Sequence, residues 1–158
     1  SEVQLREFAA QLGSDCAFFI GNKPVIATGR GDELHHFELV LSSYHIIVVV
    51  PPIQVSTAWA YESVGSRHPD ASGAVGKKKL NEIVQQPIEN WKEELKNDFE
   101  EIVFRLHPEI EEIKNQLYDH GALYASMSGS GSAVYGIFKE ESLTISFPVS
   151  YHIFKGRL

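Results

Sequence analysis

Ala122-Leu123-Tyr124-Ala125-Ser126-Met127-Ser128-Gly129-Ser130-Gly131-Ser132-Ala133-Val134-Tyr135-Gly136-Ile137-Phe138 reads as two short strands joined by a glycine-serine run. A third strand is predicted at Tyr151 to Lys155. Upstream the pattern is helical. Pro108 at a first helical position, then Ile110, Ile113 and Leu117, predicts a helix closed by Gly121, with Glu109, Glu111 and Glu112 where the helix dipole favours negative charge. Ile88, Trp91, Leu95, Phe99, Ile102 and Leu106 recur at steps of three and four, which predicts one amphipathic helix. Leu80, Ile83 and Val84 predict a shorter helix, stopped near Pro87.

Further upstream, Tyr44-His45-Ile46-Ile47-Val48-Val49-Val50 is a β-branched run ended by Pro51-Pro52, as expected of a central strand buried on both faces or nearly so. Ser56 or Thr57 can cap a helix holding Trp59, Tyr61 and Val64, and Gly65 to Gly76 reads as a loop. The order is one strand, then a run of helices, then three strands. It predicts an α+β fold: a mainly antiparallel four-stranded sheet with helices on one face, spanning residues 38–158. Residues 1–37 have no obvious place in that sheet. They hold a helix carrying Leu5, Phe8, Ala9 and Leu12, capped at Ser1 and stopped at Gly13. After it come Ala17 to Ile20, read as a strand or buried turn, and a short apolar stretch from Pro24 to Ala27.

The chain has 158 residues, enough to bury about 70% of its unfolded surface without a disulfide or metal staple. Its net charge of −7 argues against a general nucleic-acid binder, because such affinity comes from basic groups meeting phosphates. A single bound nucleotide needs only local donors. Cys16 is the one cysteine, which rules out an internal disulfide and a Cys-rich zinc site and fits a reducing compartment. No apolar run approaches the ~20 residues that span a bilayer, so no membrane partner is expected. The seven histidines show no metal-ligand spacing, and no metal is placed.

Three features could carry chemistry. In Ser128-Gly129-Ser130-Gly131, the glycines permit backbone angles that aim successive N–H groups into one concavity suited to phosphate; the same run also suits a plain hairpin turn. It lacks the Lys-Ser/Thr of a P-loop. Asp15, after a helix stop and before an apolar segment, could act as a general base or simply bond its own backbone in a turn. Trp59 and Tyr61 fit a core, or could stack on a ligand ring. The Lys77 to Lys79 run reads as a solvated face.

Taken in order, four stretches resemble the GHMP kinases, the superfamily of galactose, homoserine, mevalonate and phosphomevalonate kinases. Leu12-Gly13-Ser14-Asp15-Cys16-Ala17-Phe18-Phe19 resembles L-G-A-D-V-P-F-F, and Ala27-Thr28-Gly29-Arg30-Gly31-Asp32 resembles A-x-G-x-G-E. Asn97-Asp98-Phe99-Glu100 resembles N-D-L-E, and Met127 to Tyr135 resembles the third motif, M-S-G-S-G-S-x-V-F. Within the superfamily they are most similar to the kinases of the non-mevalonate isoprenoid pathway that phosphorylate a cytidine-diphosphate-linked methylerythritol.

The resemblance implies a cytoplasmic kinase using ATP and Mg2+ on that small-molecule substrate, with a ferredoxin-like C-terminal domain over 38–158. It implies Asp15 as the catalytic aspartate and Ser128, Gly129, Ser130 and Gly131 as the loop beside the phosphates. Tyr61 would stack on cytosine, in a stretch where Val55-Ser56-Thr57 resembles I-P-T, and Gly29 and Arg30 would line the cytidine pocket. The family's opening strand with its lysine and its long phosphate loop, where the metal ligands are expected, have no match. Residues 1–37 would then be a remnant of the N-terminal kinase domain, whose missing half is an expected partner. The 158 residues alone are predicted inactive. Two other readings stay open: another GHMP kinase with a different alcohol substrate, and a non-catalytic ferredoxin-like binding module.

Overall fold

In the computed structural model, residues 2–13, 15–29, 31, 33–65, 80–141 and 145–158 are described. Ser1, Arg30 and most of the loop expected at Gly65 to Gly76 lie outside them. The chain divides into two compact units, Ser1–Val40 and Leu41–Leu158.

The first unit holds two helices and a hairpin: α1 (Glu2–Leu12), α2 (Cys16–Gly21), β1 (Val25–Thr28) and β2 (Glu33–His36). The hairpin is antiparallel, with Val25 opposite His36 and Thr28 opposite Glu33. Residues 17–20, expected as a strand or buried turn, are helical instead. A run of four apolar residues does not distinguish the two by periodicity. The local chain closes a helical turn at once, with Phe18 N–H donating to Asp15 O (3.2 Å) and Asn22 ending the helix in the left-handed region (φ 44°). Ala9 and Ala17 are buried, while Leu5, Phe8, Leu12 and Phe19 are exposed.

The second unit is an α+β structure. Its strands are β3 (His45–Val50), β4 (Tyr124–Met127), β5 (Val134–Phe138) and β6 (His152–Arg157), in the order β4-β5-β3-β6 and antiparallel throughout. Its helices are α3 (Thr57–Gly65), α4 (Leu80–Val84), α5 (Trp91–Glu94), α6 (Glu100–Leu106) and α7 (Pro108–Asp119). Strand β3 is central, as its valine-rich run predicts, but only alternate residues are fully buried. Ile47 and Val49 face the helices, while Ile46, Val48 and Val50 are half-buried. The helices therefore cover one face, and a continuous apolar run need not mean two equally covered faces.

The core joins Ile47, Val49, Val134 and Phe138 of the sheet to Ile102 and Val103 of α6 and Ile110, Ile113 and Leu117 of α7. Full burial of a side chain such as Leu117 contributes roughly 1.5–3 kcal/mol. Gly136 admits α7 closely, since a Cβ there would lie 3.3 Å from Leu117. Gly121 stops α7 at φ 90°.

The predicted helix through residues 88–106 is broken. A 3-10 turn at Ile88–Asn90 leads into α5, the chain is extended at Leu95 (ψ 105°), and α6 begins at Glu100. Asn97 makes the break. Its side-chain oxygen accepts from the Phe99 N–H (2.9 Å), an Asx turn that competes with the helix. Among the described residues no helix is long and apolar enough to cross a membrane.

Candidate active site

The glycine-serine loop leaves the sheet between β4 and β5. Its flanks are buried, whereas Ser128 and Gly129 are exposed. Gly129 (φ 56°) and Gly131 (φ 94°) both sit in the left-handed region that a residue with a Cβ rarely enters. Space differs between them. A Cβ on Gly129 would meet nothing within 4 Å, but one on Gly131 would come 2.8 Å from Met127 Sδ. The loop is held by its own backbone, Ser128 N–H donating to Ala133 O (2.8 Å) and Gly131 N–H to Ser128 O (3.0 Å).

Side chains from elsewhere in the same unit brace it. Asn97 Nδ2 donates to Met127 O and to Gly129 O, both at 2.8 Å, so one amide spans the end of β4 and the loop. Thr57 Oγ1 lies 3.0 Å from Ser130 Oγ, within hydrogen-bonding distance. Thr57 opens α3, where Ser56 Oγ accepts from the Trp59 N–H (3.3 Å), so Ser56 is the cap. Tyr61, one turn after Thr57, shares its helix face. The residue is 64% exposed, and its ring meets Phe99 edge-on, centroids 4.9 Å apart. The unit thus gathers Thr57, Tyr61 and the Ser128–Gly131 loop around Asn97 and Phe99.

Beside the loop, Glu100 is a buried carboxylate with every contact satisfied. Oε1 accepts from Met127 N–H (2.8 Å) and Ser126 Oγ (3.1 Å), and Oε2 pairs with Lys114 Nζ at 2.6 Å. Asn97 and Glu100 belong to a stretch that sequence reading used only as a resemblance. Their bonds reach residues about thirty positions away, which local spacing does not encode. Nearby, burial first of all pushes the phenols of Tyr118, Tyr124 and Tyr135 above their ordinary 10.0.

In the first unit Asp15 stands immediately before α2. Its carboxylate makes no cap bond to that helix and is exposed. A Cβ on Gly31 would lie 3.8 Å from Asp15 Oδ1, so the carboxylate neighbours the β1–β2 turn that carries Gly29. Gly29 (φ 65°) and Gly31 (φ 88°) hold that turn in the left-handed region, and Gly31 N–H closes it onto Thr28 O (3.0 Å). Arg30, named with Gly29 on sequence grounds, lies outside the described residues.

The donor set of the 128–131 loop, small hydroxyls and main-chain N–H with open space above Gly129, fits a phosphate group. A divalent cation fits less well. Among the described residues no three His, Cys, Asp or Glu side chains cluster to hold one.

Residues 80–144 match the family described as GHMP kinases C terminal. A 4-diphosphocytidyl-2-C-methyl-D-erythritol kinase of Azobacteroides pseudotrichonymphae is 47% identical over 152 residues, 96% of this chain and 55% of the relative. One of Bacteroides thetaiotaomicron is 45% identical over 160 residues, 100% of this chain and 56% of the relative. A crystal structure of 4-(cytidine 5'-diphospho)-2C-methyl-D-erythritol kinase superposes with a TM-score of 0.65 at 28% identity, covering 84% of this chain and 47% of that one. The chain spans about half the length of the curated relatives it matches. Residues 80–144 thus carry the C-terminal domain of the GHMP kinases, and over nearly all its length the chain is similar to the 4-diphosphocytidyl-2-C-methyl-D-erythritol kinases.

Proposed function

We propose that this chain serves a kinase that moves the γ-phosphoryl group of ATP to the 2-hydroxyl of 4-diphosphocytidyl-2-C-methyl-D-erythritol, a step of isoprenoid synthesis. The observation that carries the reading is the braced Ser128–Gly131 loop, two left-handed glycines with open space above the first, in a chain 45–47% identical to kinases of that name. Residues 1–37 belong to the N-terminal kinase domain and 38–158 form the C-terminal one. The remainder of the N-terminal half is the chain's partner and supplies any Mg2+ ligands.

Phosphoryl transfer rests almost wholly on positioning and on stabilising charge at the phosphates. The Gly129 and Ser130 N–H groups and the hydroxyls of Ser128 and Ser130 face those oxygens, while the Ser128 and Gly131 N–H groups hold the loop's own shape. Asp15 accepts a hydrogen bond from the attacking hydroxyl and takes its proton as the O–P bond forms and ADP leaves. Tyr61 stacks on the cytosine with Thr57 beside it, and the resemblance assigns Gly29 and Arg30 to substrate contacts as well.

The test is a fusion of this chain behind the N-terminal part of the Bacteroides thetaiotaomicron relative, assayed with ATP and the cytidine substrate. The fusion turns over and the 158 residues alone do not. Asp15→Asn lowers kcat by about 10²–10⁴-fold. Tyr61→Ala removes a stacking contact of roughly 1–3 kcal/mol and raises KM for the cytidine substrate while KM for ATP holds. Turnover by the chain alone, or an Asp15→Asn fusion as fast as its parent, sinks the reading.

A further inference from the structure

We infer that Asn97 is a positioning residue that sets the phosphate-facing loop and the Tyr61 face of α3 together; the inference rests on the function proposed above. One carboxamide makes three bonds to three segments. Nδ2 donates to Met127 O at the end of β4 and to Gly129 O within the loop, and Oδ1 accepts from the Phe99 N–H. Phe99 in turn backs the Tyr61 ring. Both amide hydrogens and the oxygen are committed, so the side chain has one orientation and fixes Gly129 relative to Phe99. The Thr57–Ser130 contact closes the circuit from the other side.

No other residue type reproduces this. Aspartate has the same size but no donor, and places a carboxylate oxygen against two carbonyls that now sit 2.8 Å from a donor. Glutamine carries its amide one methylene too far from the Phe99 N–H. The break between α5 and α6, which interrupts an otherwise helical spacing, exists where Asn97 turns from the helix to the loop. Displacing reacting groups by about 1 Å can cost 10²-fold in rate, so a brace at this point reaches catalysis without touching substrate.

Two measurements test it. In the 158-residue chain, amide exchange is followed at Ser128 and Gly131, whose N–H groups are bonded inside the loop, and at the β3–β5 ladder. Asn97→Asp and Asn97→Ala speed exchange at the two loop amides by about tenfold while the ladder keeps its protection. In the fusion, both variants raise KM for ATP and for the cytidine substrate together, by about tenfold each. Tyr61→Ala moves only the second. Phe154→Thr on β6, an exposed position at the opposite edge of the sheet, moves neither. Unchanged loop exchange, or ladder protection lost together with the loop in both variants, overturns the inference, as do unchanged KM values in an active fusion. An inactive parent fusion defeats the proposed function instead, and the exchange measurement still decides whether Asn97 holds the loop.

Discussion

The four-stranded sheet has two edges, and they are finished differently. Because Ser128 N–H bonds Ala133 O, the antiparallel alternation turns the N–H and C=O groups of Ala125 and Met127 away from β5. Three of those four outward groups meet side chains from the helical layer and its approach. Tyr118 O–H donates to Ala125 O (3.1 Å), Glu100 accepts from Met127 N–H, and Asn97 donates to Met127 O. Strand β6, at the other edge, pairs only with β3, and every one of its residues is exposed. The edge that leads into the glycine-serine loop is the edge that is held. Precision has been placed where the loop needs a fixed base, and the far side of the sheet supports only the fold.

This contrast can be broken or sharpened by substitution, read by urea unfolding with tryptophan fluorescence, since Trp59 and Trp91 both report on the second unit. Glu100→Ala has the largest expected effect. It strands Lys114 and the Met127 N–H and costs about 3 kcal/mol, the scale for breaking one side of a largely buried ion pair. A loss under 1 kcal/mol would mean that the β4 edge is not held by this carboxylate.

Tyr118→Phe comes next, at about 1 kcal/mol, because it removes one donor and leaves the Ala125 carbonyl unmet. It also changes the alkaline limb. A phenol whose folded pKa is raised contributes stability present below the ordinary 10.0 and lost as pH rises beyond it, because the unfolded chain ionises first. The parent therefore loses stability above pH 10, and Tyr118→Phe loses it less steeply. Equal slopes would remove Tyr118 from that account. Phe154→Thr on β6, at a 65% exposed position, shifts stability by less than about 0.5 kcal/mol. A cost matching that of Tyr118→Phe would show that both edges are equally engaged.

Much of this was legible in the residues. The valine-rich run, the glycine-serine turn and the Pro108-to-Gly121 helix each carry local signals, and the strands and α7 lie where those signals point. Two segments misled for physical reasons. Ile88, Trp91, Phe99 and Ile102 all turn inward whether or not the helix between them is continuous, so their spacing survives the break at Asn97. Ala17 to Ile20 is too short for period to decide, and a six-residue helix took the place of the expected strand or buried turn. At the site, the sequence pointed to the loop, Thr57 and Tyr61, which the second unit gathers. It was silent on the bonds of Asn97 and Glu100, because a side chain reaching a distant main-chain atom leaves no periodic trace.

The finished rim of β4 also bears on self-association. An extended peptide arriving there finds three of the four outward groups of Ala125 and Met127 already taken, so within the four-stranded sheet growth between molecules begins more readily at β6. There Lys155 and Arg157 put like charges beside any second copy docked in line, a common guard against fibrous aggregation. Neutralising both would remove that guard, and concentrated samples would turn turbid before they lost their fold.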